Sequence, residues 1–156
     1  MPGLYEPELR QIPGGMTLTF LPAKREDLTA VFQLNKDLID QYEDVTHIDY
    51  DRVLQWVRQN IEQQLPHFRR VMADDKLAGY FCLIPTEDKW ELDSLFVLPP
   101  YQNRGIGTQI LEYARNEAHG NLFFFVFREN TNAIRLYQRM GFRIVKEIHK
   151  TRYIME

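Results

Sequence analysis

The stretch that decides the fold is LDSLFVLPPYQNRGIGTQIL, residues 92–111. It begins as an apolar strand pattern, stops at Pro99 and Pro100, and enters a helix pattern through a polar loop with two glycines. Glycines let the backbone N–H groups of such a loop turn toward one point, and the helix N-terminus adds about half a positive charge. The unit therefore predicts a phosphate-binding site. The alternative is a tight turn that only starts the helix.

Two other phosphate-binding motifs are excluded by the spacing in this loop. A dinucleotide-binding fingerprint requires a third glycine at the position that is Ile110 here. A Walker P-loop requires a Gly-Lys-Ser/Thr sequence, and this loop has no lysine. The loop is thus expected to bind phosphate through its backbone N–H groups and the guanidinium of Arg104.

The sequence on both sides of this unit predicts alternating blocks of strand and helix. Residues 17–21 predict a strand, and two amphipathic helices follow it. Three antiparallel strands joined by short polar turns begin at Phe68. Residues 122–127, LFFFVF, predict a strand covered on both faces, before a short helix and two more strands. The second helix is expected to turn one apolar face inward, formed by Val53, Trp56, Val57, Ile61 and Leu65.

The predicted order of elements is β-α-α-β-β-β-α-β-α-β-β. It describes an α/β (α+β) fold with a mixed, mostly antiparallel sheet of about seven strands and about four helices. Residues 1–15 contain three prolines and three glycines without a helical or strand period, so we expect a flexible N-terminal arm there. Residues 16–156 are expected to form a single domain.

Composition and charge exclude several classes of protein. The chain has 44% hydrophobic and 26% charged residues, which is ordinary for a globular protein and excludes a wholly disordered one. Its 19 basic and 22 acidic residues give a net charge of −3, without the basic excess of a nucleic-acid binder. The longest apolar run, residues 122–127, is far short of the roughly 20 residues that cross a bilayer. We therefore expect no nucleic-acid partner and no membrane span.

The N-terminal residues and the cysteine content predict a cytoplasmic protein. The sequence MPGLYEPELRQIPGG lacks the basic start, the apolar stretch and the cleavage site of a secretory signal. A lone Cys82 cannot form an internal disulfide, which fits a reducing compartment. Its apolar, strand-like surroundings predict a buried structural thiol rather than a nucleophile.

Two motifs resemble those of the GNAT superfamily of acyl-CoA-dependent N-acetyltransferases. The first is a Leu-x-Val-x-Pro strand followed by Gln/Arg-x-x-Gly-x-Gly/Ala, which residues 95–99 and 102–107 match. The second is Asn-x-x-Ala-x-x-Leu-Tyr followed closely by Gly-Phe, matched by Asn130, Ala133, Leu136, Tyr137, Gly141 and Phe142. Both occur in the family's order, so the resemblance implies a GNAT-like fold from about Thr17 to the C-terminus.

The resemblance implies acetyl-CoA as cosubstrate. The four histidines lack metal-ligand spacing, so we expect no metal. In the family, the strand matching residues 90–98 splays from the strand matching residues 122–127, and the pantetheine arm pairs with the opened edge. This implies main-chain contacts at Leu95, Phe96 and Val97, with an N–H near Val97 stabilising the oxyanion. Asn130 is expected to bind pantetheine, to cap its helix, or to do both. The pyrophosphate is expected on the amides of Gln102, Asn103, Arg104, Gly105, Ile106, Gly107 and Thr108.

Acetyl transfer to an amine requires a base, because a free alkylamine has a pKa of roughly 10. Some family members place a catalytic glutamate four residues before the position of Leu95, which makes Glu91 the first candidate and Asp93, on the same strand face, its rival. A surface ion pair across the sheet is the alternative for either carboxylate. Other members place a glutamate where this chain has Phe125. The resemblance also implies that Tyr137 is the acid beside the CoA sulfur, with core packing as its alternative.

The acceptor is expected to be a small-molecule or peptide amine. Residues 37–51 contain six acidic and no basic residues, and the matching region of the family borders the acceptor site. Residues 101–156 contain nine basic and five acidic residues, which suits the phosphate-rich end of CoA. The candidate contacts are Asp40, Glu43, Asp44 and Asp49 for a cationic amine, unless this segment is only a solvated loop, and Arg104, Arg135 and Arg139 for phosphate.

Three functions are compatible with these features. An N-acetyltransferase would work by direct transfer in a ternary complex, since no nucleophile for a covalent acetyl-enzyme is evident. A non-catalytic acyl-CoA-binding or sensor domain would bind CoA without turnover. An interaction module would use the glycine loop only as structure. Dimerisation through exposed strands is common in the family, so a homodimer is a possible assembly.

Overall fold

Eight strands form one sheet in the computed structural model, which describes residues 8–12 and 14–156. Their order in the sheet is β1-β2-β3-β4-β5-β6-β8-β7, and β5 with β6 is the parallel pair among otherwise antiparallel neighbours. The strands are Glu8–Gln11 (β1), Thr17–Pro22 (β2), Phe68–Ala73 (β3), Lys76–Pro85 (β4), Trp90–Val97 (β5), Leu122–Phe127 (β6), Ile144–Ile148 (β7) and Arg152–Met155 (β8).

Four α-helices cover the sheet, in the chain positions that the sequence predicts. They are Leu28–Tyr42 (α1), Tyr50–Gln64 (α2), Ile106–Glu117 (α3) and Thr131–Arg139 (α4). The predicted fold class is thereby confirmed, with one strand more than expected. Within residues 8–12 and 14–156, no helix has the length and apolar character needed to cross a bilayer.

The additional strand is β1, within the segment predicted to be a flexible arm. Its residues pair with β2, from Glu8 opposite Phe20 to Gln11 opposite Thr17. Ile12 follows the strand and is 4% exposed, because it packs into the core. The prediction of a flexible arm is therefore wrong for residues 8–12. Gly14 and Gly15, also in the predicted arm, form a turn in which Gly15 N–H donates to the Ile12 carbonyl at 3.2 Å. Residues 1–7 and 13 lie outside the described residues.

The two faces of the sheet carry separate cores. On the α1/α2 face, Val31 and Ile39 of α1 and Val57 and Ile61 of α2 pack against a group of strand residues. These strand residues are Phe68, Tyr80, Cys82 and Phe96. On the α3/α4 face, α3 and α4 pack against a second group, formed in part by Leu18, Phe20, Phe81, Leu92 and Phe124. Cys82 is buried as predicted, and burial raises the pKa of its thiol.

The side of α2 that faces the sheet differs from the predicted one. Tyr50, Leu54, Val57 and Ile61 pack toward the α1/α2 core, so the stripe they form turns Trp56 away from it. The Trp56 side chain is 63% exposed. The placement of Trp56 on the buried face is therefore wrong, because residues at the edge of an amphipathic stripe can fall on either side of it.

Candidate active site

The sheet opens between β5 and β6. These parallel neighbours are paired only at Trp90 with Leu122 and at Glu91 with Phe123. Beyond that point β6 pairs with β8, beginning at Phe124 opposite Met155, and β5 continues with β4 as its partner. The predicted splay of the two strands is confirmed, and it leaves one backbone edge of β5 without a strand beside it.

The backbone groups at this open edge belong to Leu95 and Val97. Leu98 N–H donates to the Ala78 carbonyl at 2.8 Å, which fixes the hydrogen-bonding parity of the β4–β5 ladder. By that parity, Leu95 and Val97 direct their N–H and C=O groups into the opening. Phe96 directs its groups toward β4, so it is not placed to make the expected main-chain contact. The Val97 carbonyl accepts a hydrogen bond from Gln102 Nε2 at 3.0 Å. The opening therefore continues directly into the loop that follows β5.

That loop presents a series of backbone N–H groups. Asn103 has φ 60 and Gly105 has φ 86, so the chain passes twice through the left-handed region before α3 begins. The first intrahelical bond runs from Gln109 N–H to the Gly105 carbonyl at 3.1 Å. Within the described part of the chain, none of the N–H groups of residues 103–108 has a protein acceptor. This is the arrangement that binds an anion at a helix N-terminus.

Of the predicted phosphate and cap residues, Arg104 lies in this loop, and Asn130, Arg135 and Arg139 belong to α4 or its N-cap. Arg104 is exposed, with its guanidinium 5.9 Å from the centre of the Tyr101 ring. Arg135 and Arg139 are exposed on α4, and neither has an ion-pair partner within the described residues. Asn130 caps α4, because its Oδ1 accepts from Ala133 N–H at 3.4 Å. All of the predicted phosphate and cap residues therefore border the opening or the two helices beside it.

Tyr137 lies on α4, on the α3/α4 face. Its ring centre is 4.4 Å from that of Phe124 on β6. Burial raises the pKa of Tyr137 to about 12, so its hydroxyl keeps its proton at neutral pH. The hydroxyl forms no hydrogen bond with any of the described residues. The side chain is partly buried, but the hydroxyl itself is not a buried atom, so it is an accessible proton donor without a protein acceptor among the described residues.

Glu91 and Asp93 lie on the other face of the sheet, at the point where it opens. Ser94 pairs with Cys82 and Leu92 with Leu83, so Asp93 is the extra residue of a β-bulge. Burial raises the pKa of Glu91 to about 7, and the charge of Asp93 and its hydrogen bond with Glu91 contribute. A carboxyl group with this pKa exchanges protons near neutral pH.

The alternative of a surface ion pair has no support here. The residue opposite Glu91 on β4 is Ile84, and its neighbour on β6 is Phe123. Within residues 8–12 and 14–156, no basic side chain pairs with Glu91 or Asp93. Asp93 instead accepts a hydrogen bond from Ser94 Oγ at 3.2 Å.

The four acidic residues expected to attract an amine are already engaged. Glu43 is the most buried of them, with its side chain 12% exposed and 3.6 Å from the guanidinium of Arg152 on β8. The others have local partners: Asp40 with Lys36 and Tyr50, Asp44 with Thr46, and Asp49 with the N–H of Arg52. The structure thus uses this segment to hold α1, α2 and the loop between them.

Phe125 is the residue of the site whose placement the sequence analysis missed. The run LFFFVF predicts a strand covered on both faces, and Phe124 is indeed buried. Phe125 points to the opposite face and is 42% exposed, because α1 and α2 do not reach over it. The expectation of a fully covered strand is wrong at this position. Alternation along β6 was the available signal, since it assigns residues 123, 125 and 127 to one face.

Comparison with known proteins agrees with this geometry. Residues 31–142 match the acetyltransferase (GNAT) family. The peptidyl-lysine N-acetyltransferase YiaC of Escherichia coli (strain K12) is 36% identical over 72 residues, which are 46% of this chain and 47% of that protein. The chain thus aligns with about half the length of that relative. The peptidyl-lysine N-acetyltransferase YjaB of Salmonella typhimurium (strain LT2) is 24% identical over 129 residues, 83% of this chain and 86% of that protein.

A solved structure shares the fold. The PaiA N-acetyltransferase from Thermoplasma acidophilum, solved in complex with coenzyme A, superposes with a TM-score of 0.66 at 19% identity, covering 88% of this chain and 96% of that one. The segment that matches the family includes the loop before α3 and both strands at the opening of the sheet. Because that segment makes up more than half of the chain, the protein belongs to the acetyltransferase (GNAT) family.

Proposed function

We propose that this acetyltransferase moves an acetyl group from acetyl-CoA directly to a primary amine within a ternary complex. The observation that carries the proposal is the continuity between the open edge of β5 and the N–H groups of residues 103–108. Acetyl-CoA has an amide-bearing arm and a pyrophosphate, and these match the two parts in that order. The arm pairs with Leu95 and Val97, and the pyrophosphate lies at the start of α3.

Glu91 acts as the general base in this proposal. The attacking amine must lose a proton, and a carboxylate whose pKa is about 7 accepts one efficiently near neutral pH. The amine nitrogen bonds to the thioester carbonyl carbon and its proton passes to Glu91. Val97 N–H, directed into the opening, donates to the oxyanion of the tetrahedral intermediate. Asp93 supports this role by keeping the pKa of Glu91 high.

Tyr137 completes the reaction as general acid. When the carbon–sulfur bond breaks, the CoA thiolate takes the phenolic proton, and the phenolate is reprotonated from solvent. Glu91 lies on the α1/α2 face and Tyr137 on the α3/α4 face. A thioester threaded through the opening between β5 and β6 would therefore meet the base from one side and the acid from the other.

Replacing Tyr137 by Phe is expected to lower kcat by about 10²-fold, because the leaving thiolate loses its proton donor. The melting temperature should stay within a few degrees of the wild-type value, since the hydroxyl has no protein partner to lose. Steady-state release of CoA thiol and thermal denaturation measure the two quantities. Tyr153→Phe on β8 is the matched control. An unchanged kcat in Tyr137→Phe would assign this tyrosine to packing alone.

The proposed function is tested by acetyl-CoA binding and turnover in the wild-type protein. Acetyl-CoA should raise the melting temperature, and thiol release should depend on an added primary amine. The amine panel includes a lysine-containing peptide, because the relatives YiaC and YjaB are peptidyl-lysine N-acetyltransferases. Binding without turnover on any amine would favour the acyl-CoA-binding or sensor alternative. No thermal shift with acetyl-CoA would favour the interaction module.

A further inference from the structure

Three phenylalanines alternate along the side of β6 that belongs to the α1/α2 face, and they differ in what covers them. The ring of Phe127 stacks on Tyr42 at 5.9 Å, and the Arg152 guanidinium lies 4.9 Å from its centre. Phe123 is half-buried and contacts Phe125 edge-on, with ring centres 6.1 Å apart. Phe125 itself stays 42% exposed. Of the three rings, that of Phe125 is therefore the one left exposed beside the site.

The exposed ring of Phe125 lies on the same face of the sheet as Glu91, the proposed base. Glu91 is opposite Phe123 in the last paired position before β5 and β6 part. Phe125 follows two residues later on the same face, about 7 Å along the strand. On this face the opening thus has the Glu91–Asp93 carboxyl pair on its β5 side and the Phe125 ring on its β6 side. An acceptor that approaches Glu91 from the β6 side of the opening would therefore pass the ring.

Charge offers a weaker means of selecting the acceptor. The acidic side chains of residues 40–49 are engaged with Lys36, Arg152, Thr46 and the N-terminus of α2. An aromatic ring, in contrast, binds apolar groups. Its face also attracts the ammonium form of an amine before the amine is deprotonated. At the β5–β6 opening itself, the exposed surface is the apolar Phe125 ring beside the Glu91–Asp93 carboxyl pair.

We infer that the acceptor amine carries an aromatic or large aliphatic group a few atoms from its nitrogen, and that Phe125 binds this group. The inference rests on the proposed acetyl transfer. Two sources have this chemistry: a free arylalkylamine, and a peptide whose first residue is aromatic or large and aliphatic. A lysine side chain has only a flexible methylene chain next to its amine. It therefore fits this surface less well.

The test compares acceptors on the wild-type protein and on variants of Phe125. The panel contains 2-phenylethylamine, ethanolamine, a peptide with a free N-terminal Phe, and an N-terminally blocked peptide with an internal lysine. We expect kcat/KM to be highest for one of the two aromatic acceptors, and the better of these identifies the source. Phe125→Ala should lower that value by about 10- to 100-fold, through KM. The kcat/KM for ethanolamine should change less than about threefold in Phe125→Ala. Phe125→Leu should retain most of the wild-type preference for the aromatic acceptors.

Two controls separate this inference from the proposed function. Val145→Ala removes another exposed apolar side chain, on β7, and should leave the preference unchanged. Calorimetric binding of 2-phenylethylamine to the CoA-loaded protein gives a readout without turnover. Weaker binding in Phe125→Ala supports the inference even if no acetyl group is transferred. Equal losses for all acceptors, or a wild-type preference for the lysine peptide, would overturn it and leave acetyl transfer standing.

Discussion

The Glu91→Gln variant is expected to lose about 10²- to 10⁴-fold in kcat/KM at pH 8, because the amine then has no base to take its proton. The wild-type enzyme should gain activity with rising pH, with an inflection at about pH 7, where Glu91 ionises. The variant should lack that inflection. Initial rates of thiol release between about pH 5 and 9 measure both effects. A variant that kept the wild-type pH profile would contradict the assignment.

Asp93→Asn distinguishes the two carboxylates. Asp93 raises the pKa of Glu91 through its charge and its hydrogen bond, so removing the charge should move the inflection to lower pH. The plateau rate should stay close to that of the wild type. A collapse of the plateau in Asp93→Asn, with Glu91 intact, would instead make Asp93 the base.

The stability of Glu91→Gln tests whether a loss of activity in this variant comes from a folding defect. The pKa of Glu91 is 4.5 in a model compound and about 7 in the folded protein, so the folded state binds this proton more tightly than the unfolded chain does. The stability this contributes is present below about pH 4.5 and is lost as the pH rises through about 7. At pH 8 the variant should exceed the wild type by about 1 kcal/mol in free energy of unfolding, after allowance for solvent screening. Chemical denaturation of both proteins at about pH 4.5 and at pH 8 measures this difference in stability. A variant less stable than the wild type at pH 8 would contradict the expectation.

Gly79→Ala is expected to cost about 3 kcal/mol of stability, or a fall of about 6–12 °C in melting temperature. A Cβ atom at this position would lie 2.0 Å from the Phe96 carbonyl oxygen and 3.3 Å from Val97 Cα. These are backbone atoms of β5, so the strand itself must shift. Because that strand presents Leu95 and Val97 to the opening, acetyl-CoA affinity should fall as well. Thermal denaturation with and without acetyl-CoA measures both.

Gly107→Ala is the matched control for stability. Its Cβ would meet the Leu136 side chain at 3.4 Å, an ordinary contact that a flexible side chain can accommodate. We expect its melting temperature to stay within about 3 °C of the wild-type value. If Gly79→Ala had the same melting temperature as Gly107→Ala, the close approach of β4 to β5 would not require glycine at position 79.

The parts of the fold that depend on local patterns could be predicted from the sequence. The apolar run, the two prolines and the glycine loop follow each other within residues 92–111, so they predict a strand, a turn and a helix start without knowledge of the rest. Glu91 and Asp93 could be placed on one face by alternation alone. The bulge at Asp93 depends on the register with β4, which the sequence does not state.

Features that depend on distant partners could not be predicted. Glu43 has its partner, Arg152, on β8, the last strand of the chain. The strand β1 has no strand pattern of its own and forms because the edge of β2 is available to it. Trp56 and Phe125 are both apolar and exposed, Trp56 because it lies outside the stripe that α2 turns to the core, and Phe125 because α1 and α2 do not cover it. The same limit applies to the acceptor surface, which only the arrangement of α1 and α2 defines.

The opening between β5 and β6 also divides the sheet mechanically. Strands β1 to β5 form one part of the sheet, and β6, β8 and β7 form the other. The two parts are joined by two paired positions and by the helices on either side. A ligand that bonds across the opening adds hydrogen bonds between the two parts of the sheet. Occupancy then stabilises the native state by RT ln(1 + [L]/Kd). The cosubstrate would thus complete a sheet that the polypeptide leaves unfinished.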